Sequence, residues 1–477
     1  MLTALAGGLL WNAEPINDVA WQLWVARQVL HGVGLYTDIL EVNPPLWFWT
    51  AVPLAKLSEL VGITAYHLLV ICIVALEIAA LALMRRLSCG VQSGALVVFL
   101  FPIITLFAFL DMFGQREQIV LISVTPYLAL VSRRIHGLDS SRMMAITCGA
   151  LAGFGIAMKP HFALVPLALE IPLLLCTRRL TIRLELITMA TLLIGYVLSV
   201  VIFAPAFFTS NLPMLKAYQG WGNSISYQMR QPVIGMTFLL LLSLLLYGRP
   251  RSTIARGALA LVIAFLIAYF LQGKGWRYHS IPAMGFLALA VVAEAECWCA
   301  RLTSVSARAS AALALLVLLC LVVPPVRSIW INDHANAQRA TRDLRPGDVV
   351  AVLPGSGYWP IPEQRHLIWP LRHMVYWMLA YAPGVGSGKL NPIAEKSVVE
   401  GVRHVARDLI CHPPRRILED AGTANLRRTE LIRFLSSDAD FARLMQAYRR
   451  GPDYGQFATY DRVQAFPSPP AGCRPIY

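Results

Sequence analysis

Residues 16–49 read INDVAWQLWVARQVLHGVGLYTDILEVNPPLWFW. The stretch carries Asp18, Asp38, Glu41 and Asn43, the turn glycines Gly32 and Gly34, and the Pro44-Pro45 pair. The chain beyond it is mostly apolar as far as residue 326. Its continuation, 44–62, decides the topology of the whole chain. If that segment crossed a bilayer, Arg85 and Arg86 would face outward and every later loop would invert. We read it as an interfacial or re-entrant helix, with its tryptophans at headgroup level.

The class follows from composition. Hydrophobic residues make up 57% of the 477 positions and charged residues only 14%. A soluble chain carries about 25% charged residues, so the composition implies a polytopic membrane protein. The net charge of +14 would suggest nucleic acid in a soluble domain. Here the arginines sit in short loops between apolar runs, which is the positive-inside pattern, and a nucleic-acid partner is not expected.

Apolar runs lie near 64–84, 91–110, 117–132, 143–158, 162–177, 184–208, 233–247, 257–272, 281–298 and 309–326. Several are shorter than the usual ~20 residues of a span. Arg85/Arg86, Arg133/Arg134/Arg142, Arg178/Arg179/Arg183, Arg249/Arg251/Arg256 and Arg301/Arg308 fall in every second loop. Those loops are expected on the cytoplasmic side. The external loops are then 12–63, DMFGQREQ (111–118), KPH (159–161), 209–232 and GKGWRYHS (273–280). Nearly every unusual polar cluster falls on that one face, which points to a single site there. The opening run MLTALAGGLLW is too short to span alone. It is read as a helix cut short by an incorrect start or only partly inserted. No basic n-region or small-residue cleavage site marks a signal peptide.

Composition changes near residue 327. RPGDVVAVLPGSGYWPIP (345–362) reads as turn, buried strand, turn. Residues 372–382 and 427–449 have helical periodicity. The expected organisation is therefore a transmembrane domain over 1–326, with its first external loop at 12–63, and a soluble external α/β domain over 327–477. Of nine cysteines, seven lie in or beside apolar runs and read as packing residues. Cys297 and Cys299 are too close for an ordinary zinc pair. Cys411 and Cys473 are expected unpaired, with a disulfide the alternative if their domain is extracytoplasmic.

Each candidate residue has a plain reading beside its functional one. Asp18, or Asn17, caps the following helix, or Asp18 is a general base at the membrane boundary. DMFGQREQ packs Asp111, Gln115, Arg116 and Glu117 into one hairpin, more polar groups than a turn needs. Lys159 either snorkels or joins the site with His161. Lys274, Arg277 and His279 form a cationic cluster with Trp276 and Tyr278, suited to a phosphate or pyrophosphate beside a lipid chain. Glu77 and Glu170 lie inside apolar runs and are expected to pair within the bundle.

An Asp in the first external loop, then A-R-x-x-L-x-G, Y-x-D-x-x-E-x-N-P-P-L and an aromatic pair resemble the GT-C superfamily. Its members are integral-membrane glycosyltransferases that use polyprenyl-phosphate sugars. The closest flavour is the bacterial branch of protein O-mannosyltransferases and lipid A aminoarabinose transferases. The resemblance implies a polytopic α-helical fold of GT-C type with a C-terminal soluble periplasmic domain, set in a bacterial inner membrane. It places Asp18 at the reaction centre and Asp111 as a second acid. The aminoarabinose branch has a Lys before Pro-Pro where this chain has Asn43. Donor phosphate binding is then expected from Arg116, Lys159, His161, Lys274, Arg277 and His279. Protein mannosyltransferases carry Asp-Glu where this chain has Asp18-Val19, so substrate identity does not transfer.

The implied reaction is inverting transfer to a hydroxyl of a glycan, lipid or protein. The phosphate leaving group needs cations rather than a general acid, and Asp18 is the base. Tyr36, Asp38, Glu41, Asn43, Glu117, Trp276 and Tyr278 are the candidate substrate-binding residues. Trp21, Trp24, Tyr36, Trp276 and Tyr278 would stack on sugars or line a lipid groove, with interface anchoring as the plain reading for each. No cofactor or metal is demanded, although Asp18, Asp111 and His279 could in principle bind one. Two other classes remain: a transporter or flippase of lipid-linked sugars, which usually shows inverted repeats and midplane polar breaks, and a membrane-anchored assembly protein.

Overall fold

The computed structural model describes the chain except residues 90, 92–93, 179–180, 221, 232–233, 236, 239–240, 242–251, 300–333, 356–357, 389, 421–429, 467–469 and 474–477. The expected run at 309–326, most of the run at 233–247, and Arg179, Arg249, Arg251, Arg301 and Arg308 lie outside the described residues. The chain groups into two compact units. The first comprises residues 1–14, 66–202 and 222–331, and the second residues 15–65, 203–221 and 332–477.

The first unit is a helical bundle. Among the described residues, seven helices are long and apolar enough to cross a membrane: Ala65–Leu87, Ala95–Met112, Arg116–Ile135, Pro160–Thr177, Leu184–Phe203, Thr253–Gln272 and Arg277–Cys297. Arg116–Ile135 and Arg277–Cys297 are the interior helices, whereas Leu184–Phe203 turns most of its apolar surface outward. The Leu2–Trp11 helix is short. Trp11 stacks on His67 with ring centroids 4.2 Å apart.

Arg142–Ala157, at 16 residues and roughly 24 Å, is shorter than those seven. It nevertheless runs alongside Arg116–Ile135, because Cys148 approaches the Pro126 carbonyl and Gly155 lies against Val120 and Ser123. Its other face is built on small residues. A Cβ on Gly149 would sit 2.3 Å from the Glu185 carbonyl oxygen, and Gly153, four residues on, meets Met189. This spacing brings two backbones together where side chains would hold them apart.

The ends of these helices are tied by buried charge. Arg134 holds Glu185 through two nitrogens, at 2.6 and 2.9 Å, and Glu185 is fully buried. Arg183 reaches both Glu185 and Glu170, and Tyr127 donates to Glu170. Glu77 accepts from Thr105 at 2.8 Å. Glu77 and Glu170 thus pair inside the bundle as their positions suggested. Arg133 donates to the carbonyls of Cys89 and Asp139, so part of the arginine pattern also ties down the turns that follow the helices.

The second unit is α/β. Strands β1 (Val350–Leu353), β2 (Arg416–Asp420), β3 (Tyr448–Tyr454) and β4 (Phe457–Arg462) form one sheet in the order β1-β2-β4-β3. β1 and β2 are parallel, and the other pairs are antiparallel. The parallel step needs a crossover, and it includes the Pro392–Cys411 helix. Asn391 caps that helix, its side chain accepting from the Ala394 amide at 2.8 Å, with Pro392 at the first turn. Val398, Val402, Val405 and Leu409 face inward. At the start of β2, Arg416 binds Asp343 and Asp461 and the Ala340 carbonyl. The guanidinium holds the Asp343 carboxyl below its usual range.

Residues 15–65 fold into this unit. Trp21 and Trp24 stack at 4.8 Å, and both meet Trp359, which contacts Trp369. Leu40 donates its amide to the Arg372 carbonyl at 2.9 Å. Segment 44–62 forms the 16-residue Leu46–Val61 helix against Asn17–Leu30.

Three expectations need correction. The 372–382 stretch is not an α-helix: Arg372 and Tyr376 give their amides to Asp408 and Pro354, and a 3-10 helix starts only at Trp377. Over 427–449 the described residues form the short helices Glu430–Leu435 and Ala439–Met445, followed by β3. Cys411 and Cys473 are joined in a disulfide, because the chain after β4 returns to the end of the Pro392–Cys411 helix. Closing a loop of 62 residues should stabilise the unit by about 2–4 kcal/mol. Reductant is therefore expected to lower the unfolding temperature of the wild type, and not that of Cys473→Ala, in thermal melts of the full chain.

Candidate functional site

In the first unit, three hairpins as far apart in sequence as the 166 positions between Asp111 and Arg277 meet through charged side chains. Each is locally built for it. Gly114, at φ +85°, opens the turn before Arg116, and its amide donates to Gln118 Oε1 at 2.9 Å. Gln118 in turn donates to the Thr105 carbonyl, and Thr105 bonds Glu77. This chain of bonds fixes residues 111–118. Lys159 precedes Pro160, which starts a 3-10 turn and keeps Lys159 extended. Lys274 stands between two left-handed glycines, Gly273 and Gly275. Its carbonyl accepts from Asn223 at 2.6 Å, and Gly275 lies against Tyr227 and Gln228, where a Cβ would be 3.2–3.3 Å from their side chains.

The three hairpins then join. Arg277 binds Asp111. Lys159 binds Glu117, which is fully buried, and also Gln272 at 2.9 Å. His279 Nε2 lies 3.9 Å from the same Glu117 oxygen. The Lys159 ammonium stands 5.4 Å from the Tyr278 ring centre. Trp276, Tyr278 and His279 pack mutually, with centroids 4.4–5.7 Å apart. Arg116, Lys159, His161 and Lys274 are all near enough to act electrostatically on His279.

The cluster holds four lysines and arginines against the carboxylates of Asp111 and Glu117, so positive charge is in excess. Burial lowers the Lys274 ammonium to about 8, because the charged form loses water. Asp111 Oδ1, Glu117 Oε2 and His279 Nδ1 are buried and have no hydrogen-bond partner among the described residues. Buried polar atoms are costly unless satisfied, by about 1–3 kcal/mol each. Such a setting suits a polar, anionic ligand that also brings donors.

All eight of Asp111, Arg116, Glu117, Lys159, His161, Lys274, Arg277 and His279 thus belong to one constellation, with Trp276 and Tyr278 beside it. The rest of the candidates lie in the second unit. Asp18 sits in the first turn of the Asn17–Leu30 helix, half-buried. The helix N-cap is Ile16 and has no side-chain cap bond, so neither Asn17 nor Asp18 caps it. A carboxylate in the first turn is still favoured by the helix dipole.

Tyr36, Asp38, Glu41 and Asn43 build the 32–43 loop. Glu41 accepts from the Trp21 indole at 2.9 Å and from the Asn43 amide side chain at 2.7 Å. Tyr36 donates its hydroxyl to the Asn43 carbonyl at 2.6 Å. Asp38 accepts from the Gly34 amide at 2.9 Å. The left-handed positions are Gly32 and Tyr36. Gly34 is required for a different reason, since a Cβ there would strike the Thr37 hydroxyl. Trp21, Trp24 and Tyr36 are buried in the interior of this unit.

Gln118, Gln272 and Asn223 support the constellation and were not singled out by sequence. Glutamine at the end of an apolar run and an isolated asparagine carry no signal until their partners are known. Among the described residues no group of three or more His, Cys, Asp or Glu side chains is placed to hold a metal ion. Comparison with known proteins finds no family model and no curated protein that matches the chain.

The Glu117–Lys159 pair should dominate the stability of this region. Glu117→Gln leaves a buried ammonium without its counter-charge and is expected to cost about 3–5 kcal/mol. The Glu117→Gln/Lys159→Met double variant should recover much of that loss in thermal unfolding of the detergent-solubilised protein.

Proposed function

We propose that the chain is a glycosyltransferase of GT-C type, transferring a sugar from a polyprenyl-phosphate donor to a hydroxyl acceptor. The observation that carries this reading is the cation-rich constellation joining residues 111–118, 159–161 and 272–279 at the ends of apolar helices. An anionic headgroup on a lipid chain is the ligand class such a place suits. The resemblance of residues 16–49 to GT-C enzymes supplies the reaction.

In this reading the acceptor oxygen attacks the anomeric carbon, and the bond to the phosphate oxygen breaks with inversion. The pair of electrons leaves on the lipid phosphate, where Lys274, Arg116 and the neighbouring cations stabilise the charge. The resemblance to GT-C enzymes, not a placement beside these cations, makes Asp18 the base that takes the acceptor proton. Asp111 holds Arg277 in place for the leaving group. The Cys411–Cys473 disulfide supports an oxidising compartment for the second unit, in keeping with a periplasmic face of a bacterial inner membrane. Lipid-linked sugar donor, hydroxyl acceptor and membrane lipids are then the partners.

The test is sugar transfer from a polyprenyl-phosphate donor by purified protein. Asp18→Asn is expected to slow transfer about 10²–10⁴-fold. Movement of donor across the bilayer without a new glycosidic bond would mean a transporter. A membrane-anchored assembly protein would form no such bond in either form. The pH dependence offers an independent check. Lys274 is cationic below about 8, so kcat/KM for the donor should fall as pH rises through that value. In Lys274→Arg, which stays charged, this limb should move out of range.

A further inference from the structure

The second unit contains a basic concavity that the proposed reaction does not use. It has a volume of about 490 Å³. Arg339, Arg342 and Arg365 line it, with Gln338 and Gln364 beside them and Ile361 among its apolar lining.

Two of the arginines are held by neutral acceptors. Arg365 donates to the Arg342 and Leu344 carbonyls at 3.0 and 3.2 Å and to the Thr341 hydroxyl at 3.4 Å. Arg339 donates to Asn336 Oδ1 at 2.6 Å and to the Ala335 carbonyl at 3.3 Å. Arg342 is exposed. The nearby acids are engaged elsewhere: Asp343 binds Arg416, and Glu363 binds Arg27. Among the described residues no carboxylate pairs with any of the three lining arginines.

Three guanidinium groups therefore face one open volume with no counter-charge among the described residues. Like charges so gathered repel, and the repulsion is relieved when an anion enters. We propose that this concavity binds a phosphate ester. A single carboxylate would leave most of the charge uncompensated, whereas a phosphate monoester or diphosphate carries two or three negative charges. Guanidinium forks match phosphoryl oxygens in pairs. The volume is that of a small-molecule site, which runs roughly from 300 to 1,000 Å³, so there is room for more than the phosphate itself. The two glutamine amides can donate to, and accept from, hydroxyls on the remainder. The phosphate belongs either to a soluble phosphorylated sugar or to a phospholipid headgroup.

The experiment is titration calorimetry of the full chain in phosphatidylcholine nanodiscs with inorganic pyrophosphate. Saturable binding is expected. Arg339→Gln/Arg342→Gln should weaken it about tenfold or more, since charge-assisted bonds from two forks are lost. Arg365 is left in place because its bonds hold the 341–344 turn. Arg342→Gln alone breaks no described hydrogen bond, so it tests the site even if the double variant misfolds, and it too should weaken binding. No saturable binding, or equal affinity in wild type and both variants, would overturn the proposal. The latter result would assign the pyrophosphate to other cations, such as those of the first unit. Repeating the titration in phosphatidylglycerol nanodiscs separates the sources. Pyrophosphate binding lost there identifies a lipid headgroup as the occupant, and binding retained identifies a soluble phosphate ester.

Discussion

The first unit depends on the rule that a charge removed from water must find a partner. Glu117 is fully buried and Lys159 nearly so, and each is tolerable only because the other is present. Their pairing draws the 159–161 turn onto the start of the Arg116–Ile135 helix. His279 approaches the same carboxylate, which adds the third hairpin. Asp111 and Arg277 repeat the contact a few residues away. The bundle's apolar helices could pack in many ways through non-directional burial, but these ion pairs allow few of them.

The same constraint operates at the other end of those helices. Glu185 is buried and held by Arg134 and Arg183, and Glu170 by Arg183 and Tyr127. The two ends differ in how fully they are satisfied. At Glu185 both carboxylate oxygens accept hydrogen bonds from Arg134. Around Glu117 and Asp111, buried oxygens remain without a hydrogen-bond partner among the described residues, and cations exceed carboxylates. One end has the character of a structural lock and the other of a site.

In the second unit the organising residues are aromatic and acidic. Trp21 and Trp24 are buried against Trp359, and Asp408 gathers Arg372 and Tyr376. These contacts explain why residues near the N-terminus fold with the last part of the chain. They also account for Tyr36, Glu41 and Asn43, whose described bonds stay within the loop or reach Trp21. A dense group of special residues in a loop can be required simply to give the loop one shape.

Run length and charge placement made the apolar helices legible from sequence, because a span must offer lipid a continuous run of apolar side chains while its backbone bonds internally. The polar hairpins 111–118, 159–161 and 273–280 were legible for the converse reason: such residues stand out in an apolar chain. β1 was readable between its turn signals. Local pattern misread 372–382, where the amides of Arg372 and Tyr376 go to distant acceptors, left the Cys411–Cys473 bond only as an alternative, and gave no hint of Gly149 meeting Glu185. Sequence by itself therefore determined which segments are apolar and which residues are chemically unusual, since those are properties of the residues themselves. Tertiary structure alone decided that Lys159 pairs with Glu117, Arg277 with Asp111 and Trp21 with Trp359, because the energy of a buried charge or ring depends on what stands within a few ångströms of it.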